Sequence, residues 1–235
     1  MIKEAIQYIV GLGNRETFHE NGQTFVTGDV TLLKEPRPTE IEVSTLSALV
    51  HYAKSKFDGH DNFLIHVVSP TQVRLMSPTN NDENRSIWVE ANALLPTINY
   101  GRYYDAERFN ILLQSCFELN DDKNILLKVV GNIKEEDVKN YGDDGVSQSV
   151  TAKTGVAQVA DVAVPNPVLL APYRTFVDVD QPESSFVFRM QNGPECALFE
   201  ADGGAWRLEA MDNIRDYLAL NLADEIKVGK IHILS

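Results

Sequence analysis

Three segments with apolar residues at helical spacing most constrain what this chain can fold into. Within each segment the apolar residues recur every three or four positions, which places them on one face of an amphipathic helix. The segments are Thr45–Phe57, Tyr104–Phe117 and Ala205–Leu222. Short strand-like runs stand between them, in an order that is neither a regular strand–helix alternation nor strands alone. The pattern therefore predicts an α+β fold with mixed or antiparallel sheets and three main amphipathic helices.

The strand predictions depend on short apolar runs that are bounded by polar or turn residues. Asn21-Gly22 between β-forming residues predicts a hairpin with a type I′ turn, because both residues tolerate positive φ. Two short helices are also predicted, Ile2–Leu12 with an apolar face and Lys134–Asn140 with many charges. The other predicted strands are Phe63–Val68, Val73–Met76, Ser86–Glu90, Asn124–Val130, Phe186–Met190, Ala197–Phe199 and Lys230–Leu234.

Size and charge limit the organisation and the partners. The 235 residues suit an N-terminal α+β region over 1–100 and a β-rich C-terminal α+β region over 101–235, or one continuous domain. The chain has 21 Lys and Arg against 34 Asp and Glu, a formal net charge of −13. Because phosphate binding depends on Lys and Arg that release counterions, we do not expect direct nucleic-acid binding.

Cysteine usage and hydropathy indicate the compartment. Cys116 and Cys196 are far apart and have apolar neighbours, which is typical of buried thiols and not of a disulfide or zinc site. No uncharged stretch reaches the ~20 residues that a membrane span needs, and the first residues have no signal-peptide pattern. We therefore expect a cytoplasmic protein with no membrane partner, no metal ion and no cofactor.

Four segments in the second half carry a family resemblance. They read DDGVSQSVTAKTGVAQ (Asp143–Gln158), VPNPVLLAPYRTF (Val164–Phe176), QPESSFVFR (Gln181–Arg189) and LFEADGGAWR (Leu198–Arg207). Together they resemble the YfdQ-like family of uncharacterised phage and prophage proteins. The resemblance implies viral origin and expression inside the infected bacterium, and it implies no particular chemical activity.

The segment Pro172–Phe176 places Arg174 between Tyr173 and another aromatic residue. A guanidinium binds carboxylates and other anions in a bidentate manner, and flanking rings stack on it, so an anion or carboxylate site is one interpretation. The structural interpretation is that Arg174 pairs with an internal carboxylate, such as Glu183 or Asp178, and holds a loop in place. For an acidic chain the sequence favours the structural interpretation.

Two carboxylates, Glu200 and Asp202, stand beside a Gly-Gly pair where a strand gives way to a helix. Paired carboxylates bind Mg²⁺ or act as acid and base. Asp202 is equally suited to cap the helix that is predicted to begin near Ala205, where it would accept hydrogen bonds from unpaired N–H groups. Capping is the favoured interpretation.

Three functions are open from the sequence. The leading hypothesis is a non-enzymatic phage accessory protein that forms a symmetric homo-oligomer, with edge strands and apolar faces of the β-rich half as contacts. The alternative is a binder or inhibitor of a host defence protein or of a nucleotide signal, through Tyr173, Arg174 and Arg189. A second alternative is a metal-dependent hydrolase or nuclease that uses Glu200 and Asp202.

Overall fold

The expected α+β fold is confirmed by a computed structural model, in which mixed and antiparallel sheets pack against helices. The structure describes residues 2–13, 16–27, 31–32, 37–131, 141–143, 148–150, 153–154, 157–158, 162–191 and 195–235. The helices are α1 (Ile2–Gly13), α2 (Leu46–Ser55), α3 (Ala106–Cys116), α4 (Asp121–Gly131), α5 (Trp206–Asn221) and α6 (Ala223–Lys227).

Most of the strands belong to two sheets, one of five strands and one of four. The strands of the first 131 residues are β1 (Thr17–Glu20), β2 (Gln23–Val26), β3 (Thr31–Leu32), β4 (Ile41–Val43), β5 (Phe63–Ser69), β6 (Gln72–Met76), β7 (Ile87–Asn92) and β8 (Tyr104–Asp105). Those that follow are β9 (Tyr141–Asp143), β10 (Gln148–Val150), β11 (Lys153–Thr154), β12 (Ala157–Gln158), β13 (Val162–Ala163), β14 (Val168–Leu170), β15 (Ser184–Gln191), β16 (Glu195–Glu200) and β17 (Ile231–Leu234).

The five-stranded sheet has the order β17-β5-β6-β7-β4. Its central strands are antiparallel neighbours, whereas the edge strands β17 and β4 pair in parallel with β5 and β7. Helices α2 and α5 pack on one face, over buried residues of β5 such as Ile65 and Val67. Residues 206–234 thus pack with residues 41–92, and the chain crosses the predicted boundary at residue 100 to complete this first core.

Helix α2 forms where the sequence predicts it, and its start is capped twice. The Thr45 hydroxyl accepts a hydrogen bond from the Ala48 N–H at 3.2 Å. The Asp178 carboxylate accepts hydrogen bonds from the N–H groups of Leu46 and Ser47, at 2.9 and 3.1 Å. Three N–H groups that the helix itself leaves unpaired are thereby satisfied, and a negative charge lies at the positive end of the helix dipole.

The four-stranded sheet has the order β14-β15-β16-β8 and is antiparallel throughout. Burial alternates along β15, so Phe186, Phe188 and Met190 point into a second core that α3 and α4 cover. Both cysteines are buried and free as predicted, and burial raises the pKa of the Cys196 thiol to about 12.

The hairpin predicted at Asn21-Gly22 is confirmed. Strands β1 and β2 pair from Thr17 to Val26, and the two turn residues have φ of 51° and 77°. A type I′ turn requires positive φ at both central positions, which Gly tolerates freely and Asn better than most residues. The strand pair therefore forms in the register that the turn dictates.

The predicted strand at Asn124–Val130 is wrong, because these residues lie in helix α4. Its buried residues Lys123, Leu126 and Val130 recur at helical spacing, and the Asn120 side chain accepts a hydrogen bond from the Lys123 N–H at 2.8 Å. A short apolar run does not distinguish a buried strand from a buried helix. The polar N-cap residue before this run indicates a helix. The predicted helix at 134–140 lies outside the described residues.

The predicted buried face of the last long helix also needs correction. The apolar spacing in Ala205–Leu222 predicts a buried face of Leu208, Met211, Tyr217, Leu218 and Leu222, but Leu208 is 72% exposed. Helix α5 instead buries Ala210, Ile214 and Leu218.

Within the described residues, no helix is both long and apolar enough to cross a bilayer.

Candidate functional site

Arg174 lies at the centre of a buried polar and aromatic cluster that we call the Arg174 cluster: Tyr100, Arg174, Ser184, Phe186, Glu200 and Trp206. The Arg174 residue is 7% exposed. Its Nη2 donates hydrogen bonds to the Pro182 carbonyl at 3.1 Å and to the Ser184 hydroxyl at 2.6 Å. Its Nη1 lies 3.7 Å from Glu200 Oε1, an ion pair that is longer than a hydrogen bond.

Aromatic rings surround the same guanidinium. Its central carbon lies 4.0 Å from the ring centroid of Trp206 and 5.9 Å from that of Phe186, so both rings provide cation–π contacts. Burial lowers the pKa of Arg174, and Tyr100, Asp202 and Glu200 oppose that shift. Nε and Nη1 are buried and find no hydrogen-bond acceptor among the described residues. The cluster therefore stabilises the cation mainly by stacking and by nearby negative charge.

The Arg174 cluster is continuous with a hydrogen-bonded junction between the segments Val164–Phe176 and Gln181–Arg189. The Gln181 side-chain oxygen accepts hydrogen bonds from the N–H groups of Arg174 and Thr175, at 3.0 and 3.2 Å. The Thr175 hydroxyl donates to the Pro70 carbonyl in the β5–β6 turn at 2.5 Å. Phe176 belongs to the first core, whereas Phe186 belongs to the second. This loop therefore ties the two cores together.

The predicted carboxylates Glu200 and Asp202 both lie near Arg174, in different roles. Asp202 accepts hydrogen bonds from the N–H groups of Gly204 at 3.0 Å and Trp206 at 3.4 Å, which confirms its predicted capping role at α5. Glu200 is the ion-pair partner of Arg174. Within the described residues, no group of three or more His, Cys, Asp or Glu side chains is arranged to hold a metal ion.

The carboxylates predicted to pair with Arg174 make other contacts. Asp178 caps α2, and Glu183 accepts a hydrogen bond from the Asn120 side chain at 3.0 Å. Glu200 is the carboxylate that pairs with Arg174 instead. It lies opposite Phe186 in the β15–β16 register and is on the same face of the sheet as Phe186. The structural interpretation of Arg174 thus holds with a different partner.

Arg189 and Tyr173 do not join this cluster through a described contact. Arg189 alternates with Phe188 along β15, so it points to the opposite face of the sheet from Phe186. Tyr173 is half-buried, and its backbone N–H donates to the Cys116 carbonyl at 2.9 Å. The structure therefore brings together Arg174, Glu200 and Asp202 and leaves Arg189 apart.

Sequence reasoning missed Tyr100 and the stacking role of Trp206. The Tyr100 ring lies 5.3 Å from that of Phe186, and burial raises the pKa of its hydroxyl to about 12. Trp206 is the first residue of α5, within one of the family-like segments. No local pattern predicts these contacts, since they join residues that are far apart in sequence.

Side chains occupy one edge of the four-stranded sheet. At the β14 edge, the Leu169 N–H donates to the Asp122 carboxylate at 2.7 Å, and its carbonyl accepts from the Asn120 side chain at 3.0 Å. At the other side, the Gly101 N–H donates to the Leu198 carbonyl of β16 at 2.7 Å, which continues the pairing of β8 with β16. An occupied edge does not accept another strand at these positions.

Helix α1 is different, because its apolar side chains are exposed. Ile2, Ile6 and Ile9 follow helical spacing on one face and are 80%, 55% and 65% exposed. We call these three residues the α1 face. Glu4 and Gln7 lie toward the opposite side of the helix, which makes α1 amphipathic with its apolar side toward solvent.

A charged cavity of about 330 Å³ lies where α2 ends, α6 begins and the chain enters β17. Its charged lining residues are Lys54, Lys56, Asp61, Asp224, Glu225 and Lys230. Lys230 pairs with Asp61 across the cavity wall, and that hydrogen bond is the main reason that the pKa of Asp61 is lowered. This charged cavity is separate from the Arg174 cluster and was not predicted from the sequence.

Comparisons with protein-family models, curated proteins and solved structures find no match to this chain. The resemblance to the YfdQ-like family therefore stays a prediction.

Proposed function

We propose that the chain is a phage-encoded, non-enzymatic accessory protein that acts in the cytoplasm of the infected bacterium as a symmetric homo-oligomer. The observation that carries the proposal is the exposed α1 face, formed by Ile2, Ile6 and Ile9. Contiguous exposed apolar surface marks interaction sites in proteins. The phage origin depends on the family resemblance of the second half.

The length of α1 supports the need for a partner surface. Isolated helices shorter than about 12–15 residues are marginal in water, because nucleation is unfavourable and few hydrogen bonds repay it. Helix α1 has 12 residues and two glycines near its end. Burial of one Ile side chain contributes about 1.5–3 kcal/mol, so an interface over the α1 face would supply the missing stabilisation.

The neutral charge of α1 permits a second copy of this chain as that partner. With a net charge of −13, two copies repel each other over most of their surfaces. Helix α1 carries one basic residue, Lys3, and one acidic residue, Glu4, so its own net charge is zero. Two α1 faces therefore meet without bringing like charges together, and a twofold axis would make the contact self-complementary.

The occupied β14 edge of the four-stranded sheet supports α1 over strand pairing at that edge as the contact. The sequence suggested edge strands of the second half as oligomer contacts. Asn120 and Asp122 occupy the backbone groups of Leu169 at one such edge. A helix-mediated contact needs no free sheet edge.

The test is the solution mass of the full chain by light scattering. We expect the wild type at an integer multiple, two or more, of 26.3 kDa. Ile6→Glu with Ile9→Glu should reduce the mass to one chain, whereas Glu4→Gln on the other side of α1 should leave it unchanged. A monomeric wild type, or a double variant that still assembles, contradicts the proposal.

A second candidate, a binder of a host defence protein or nucleotide signal, is favoured by Arg174. Its Nε and Nη1 have no acceptor among the described residues, and a second cation, Arg207, has its central guanidinium carbon 5.2 Å from the centroid of the same Trp206 ring. Absorbance at 260 and 280 nm in the same measurement tests the nucleotide form: excess absorbance at 260 nm that Arg174→Ala removes supports it. The hydrolase hypothesis is not favoured, because it needs Asp202 as a metal ligand or as an acid or base. Both carboxylate oxygens of Asp202 already accept hydrogen bonds from backbone N–H groups.

A further inference from the structure

The five-stranded sheet has a second face, on the side away from α2 and α5. Burial alternates along β5 and β6, so every other residue of these strands points to this second face. Four residues lie directly opposite one another in a single row across β5, β6, β7 and β4, which we call the outer row: His66, Arg74, Glu90 and Glu42. His66 is half-buried, the Arg74 side chain is 34% exposed and Glu42 is exposed, so the row is open to solvent.

The outer row has its basic residues at one end and its acidic residues at the other. Arg74 Nε donates a hydrogen bond to Glu90 Oε1 at 3.0 Å, which pairs Glu90 within the chain. Glu42 lies opposite Glu90 in the parallel register of β4 and β7, and no cation of the described residues pairs with it. Like charges directly opposite each other destabilise a sheet, so a cation placed over Glu42 would stabilise this one.

We propose that the outer row is a second contact between copies of this chain, in which two five-stranded sheets pack face to face. A twofold axis parallel to the strands, between β6 and β7, reverses the order of the row in the second copy. His66 then faces Glu42 of the second copy, and Arg74 faces Glu90 of the second copy. An imidazole beside a carboxylate favours its charged form. A row that is basic at one end and acidic at the other is complementary to its own reverse, which a second copy supplies.

Apolar side chains beside the outer row supply the rest of the contact. Leu64 and Met76 lie opposite each other on the same face, and both are half-buried. Leu234 of β17 lies opposite His66 and is 52% exposed. Aligned sheets pack about 10 Å apart with the side chains of their inner faces interdigitated, so these residues would lose contact with water in the assembly.

This contact rests on the proposed function, because we expect it to be too weak to hold two single chains together. Exposed ion pairs contribute little each, and salt screens them. Two copies joined through α1 present two outer rows, and a second such pair engages both, so that the second contact forms at a high effective concentration. Two different twofold contacts whose axes cross close into an assembly of four chains.

The test is the mass of the full chain by light scattering at low salt. We expect the wild type at four times 26.3 kDa. His66→Glu should halve the mass, because it sets two carboxylates against each other at both contacts with Glu42. Adding Glu42→Lys to that variant exchanges the two charges and should restore four chains. His51→Glu makes the same change at an exposed position of α2, on the covered side of the sheet, and should leave the mass at four chains.

The outcomes separate this contact from the contact through α1. A wild type of two chains, a His66→Glu variant that keeps four chains, or a double variant with Glu42→Lys that stays at two chains overturns the outer-row contact and leaves the α1 contact in place. If Ile6→Glu with Ile9→Glu keeps the mass of the wild type while His66→Glu lowers it to a single chain, the α1 contact is contradicted and the outer-row contact is supported.

Discussion

Helices α1 and α5 are both predicted to be amphipathic, yet α5 buries its apolar face and α1 exposes its own. Helix α5 buries Ala210, Ile214 and Leu218 against the five-stranded sheet. Helix α1 has larger apolar residues on its face, and Ile2, Ile6 and Ile9 remain more than half exposed. The apolar face of a helix thus predicts that something covers it, but not whether the cover is the same chain or another.

The two helices also differ in how their ends are held. The N–H of Trp206, the first residue of α5, donates to Asp202, and the Trp206 ring stacks on Arg174. Gly204, just before the helix, has φ of 85°, and a Cβ there would lie 2.1 Å from Arg207 Nη1. Helix α5 is therefore anchored by contacts to both cores, whereas the three isoleucines of the α1 face remain exposed in the structure.

The largest expected effect distinguishes the two sides of α5. Leu218→Ala should lower the free energy of unfolding by about 2–5 kcal/mol, because it removes a fully buried side chain and leaves a cavity. Leu220→Ala, in the same helix but 79% exposed in the wild type, should change it by less than about 0.5 kcal/mol. Urea denaturation measures both, and equal losses would contradict the burial of one α5 face.

An intermediate effect tests the anchor at the start of α5. Arg174→Ala should lower the free energy of unfolding by about 2–3 kcal/mol, because it removes a buried stack and the donors to Pro182 and Ser184. Arg207→Ala, which removes an exposed cation that contacts the same indole ring, should cost less than about 1 kcal/mol. Chemical denaturation followed by tryptophan fluorescence measures both changes, and a neutral Arg174→Ala would exclude a structural anchor.

The smallest expected effect on stability belongs to α1. Ile9→Ala should change the free energy of unfolding of the dissociated chain by less than about 0.5 kcal/mol, because the side chain is 65% exposed in a single chain. Denaturation at protein concentrations low enough for full dissociation measures this. A loss as large as that of Leu218→Ala would mean that α1 packs on its own chain.

Part of the candidate site could be predicted from the sequence. Asp202 before a Gly-Gly pair indicates a helix cap, which is a local interaction, and the hydrogen bonds to Gly204 and Trp206 confirm it. The partner of Arg174 could not be predicted, because Glu200 reaches it only through the register of β15 and β16. Tyr100 and the charged cavity were missed for the same reason, since their contacts join distant segments.

By itself the sequence determined the elements whose causes are local: α2 and α3 through apolar spacing and caps, and the β1–β2 hairpin through Asn21-Gly22. Only the tertiary structure decided that Asp178 caps α2 from 132 residues away. It also decided which apolar faces are covered. The physical reason is range: turns, caps and periodicity act within a few residues, whereas burial depends on which distant segments come to pack against each other.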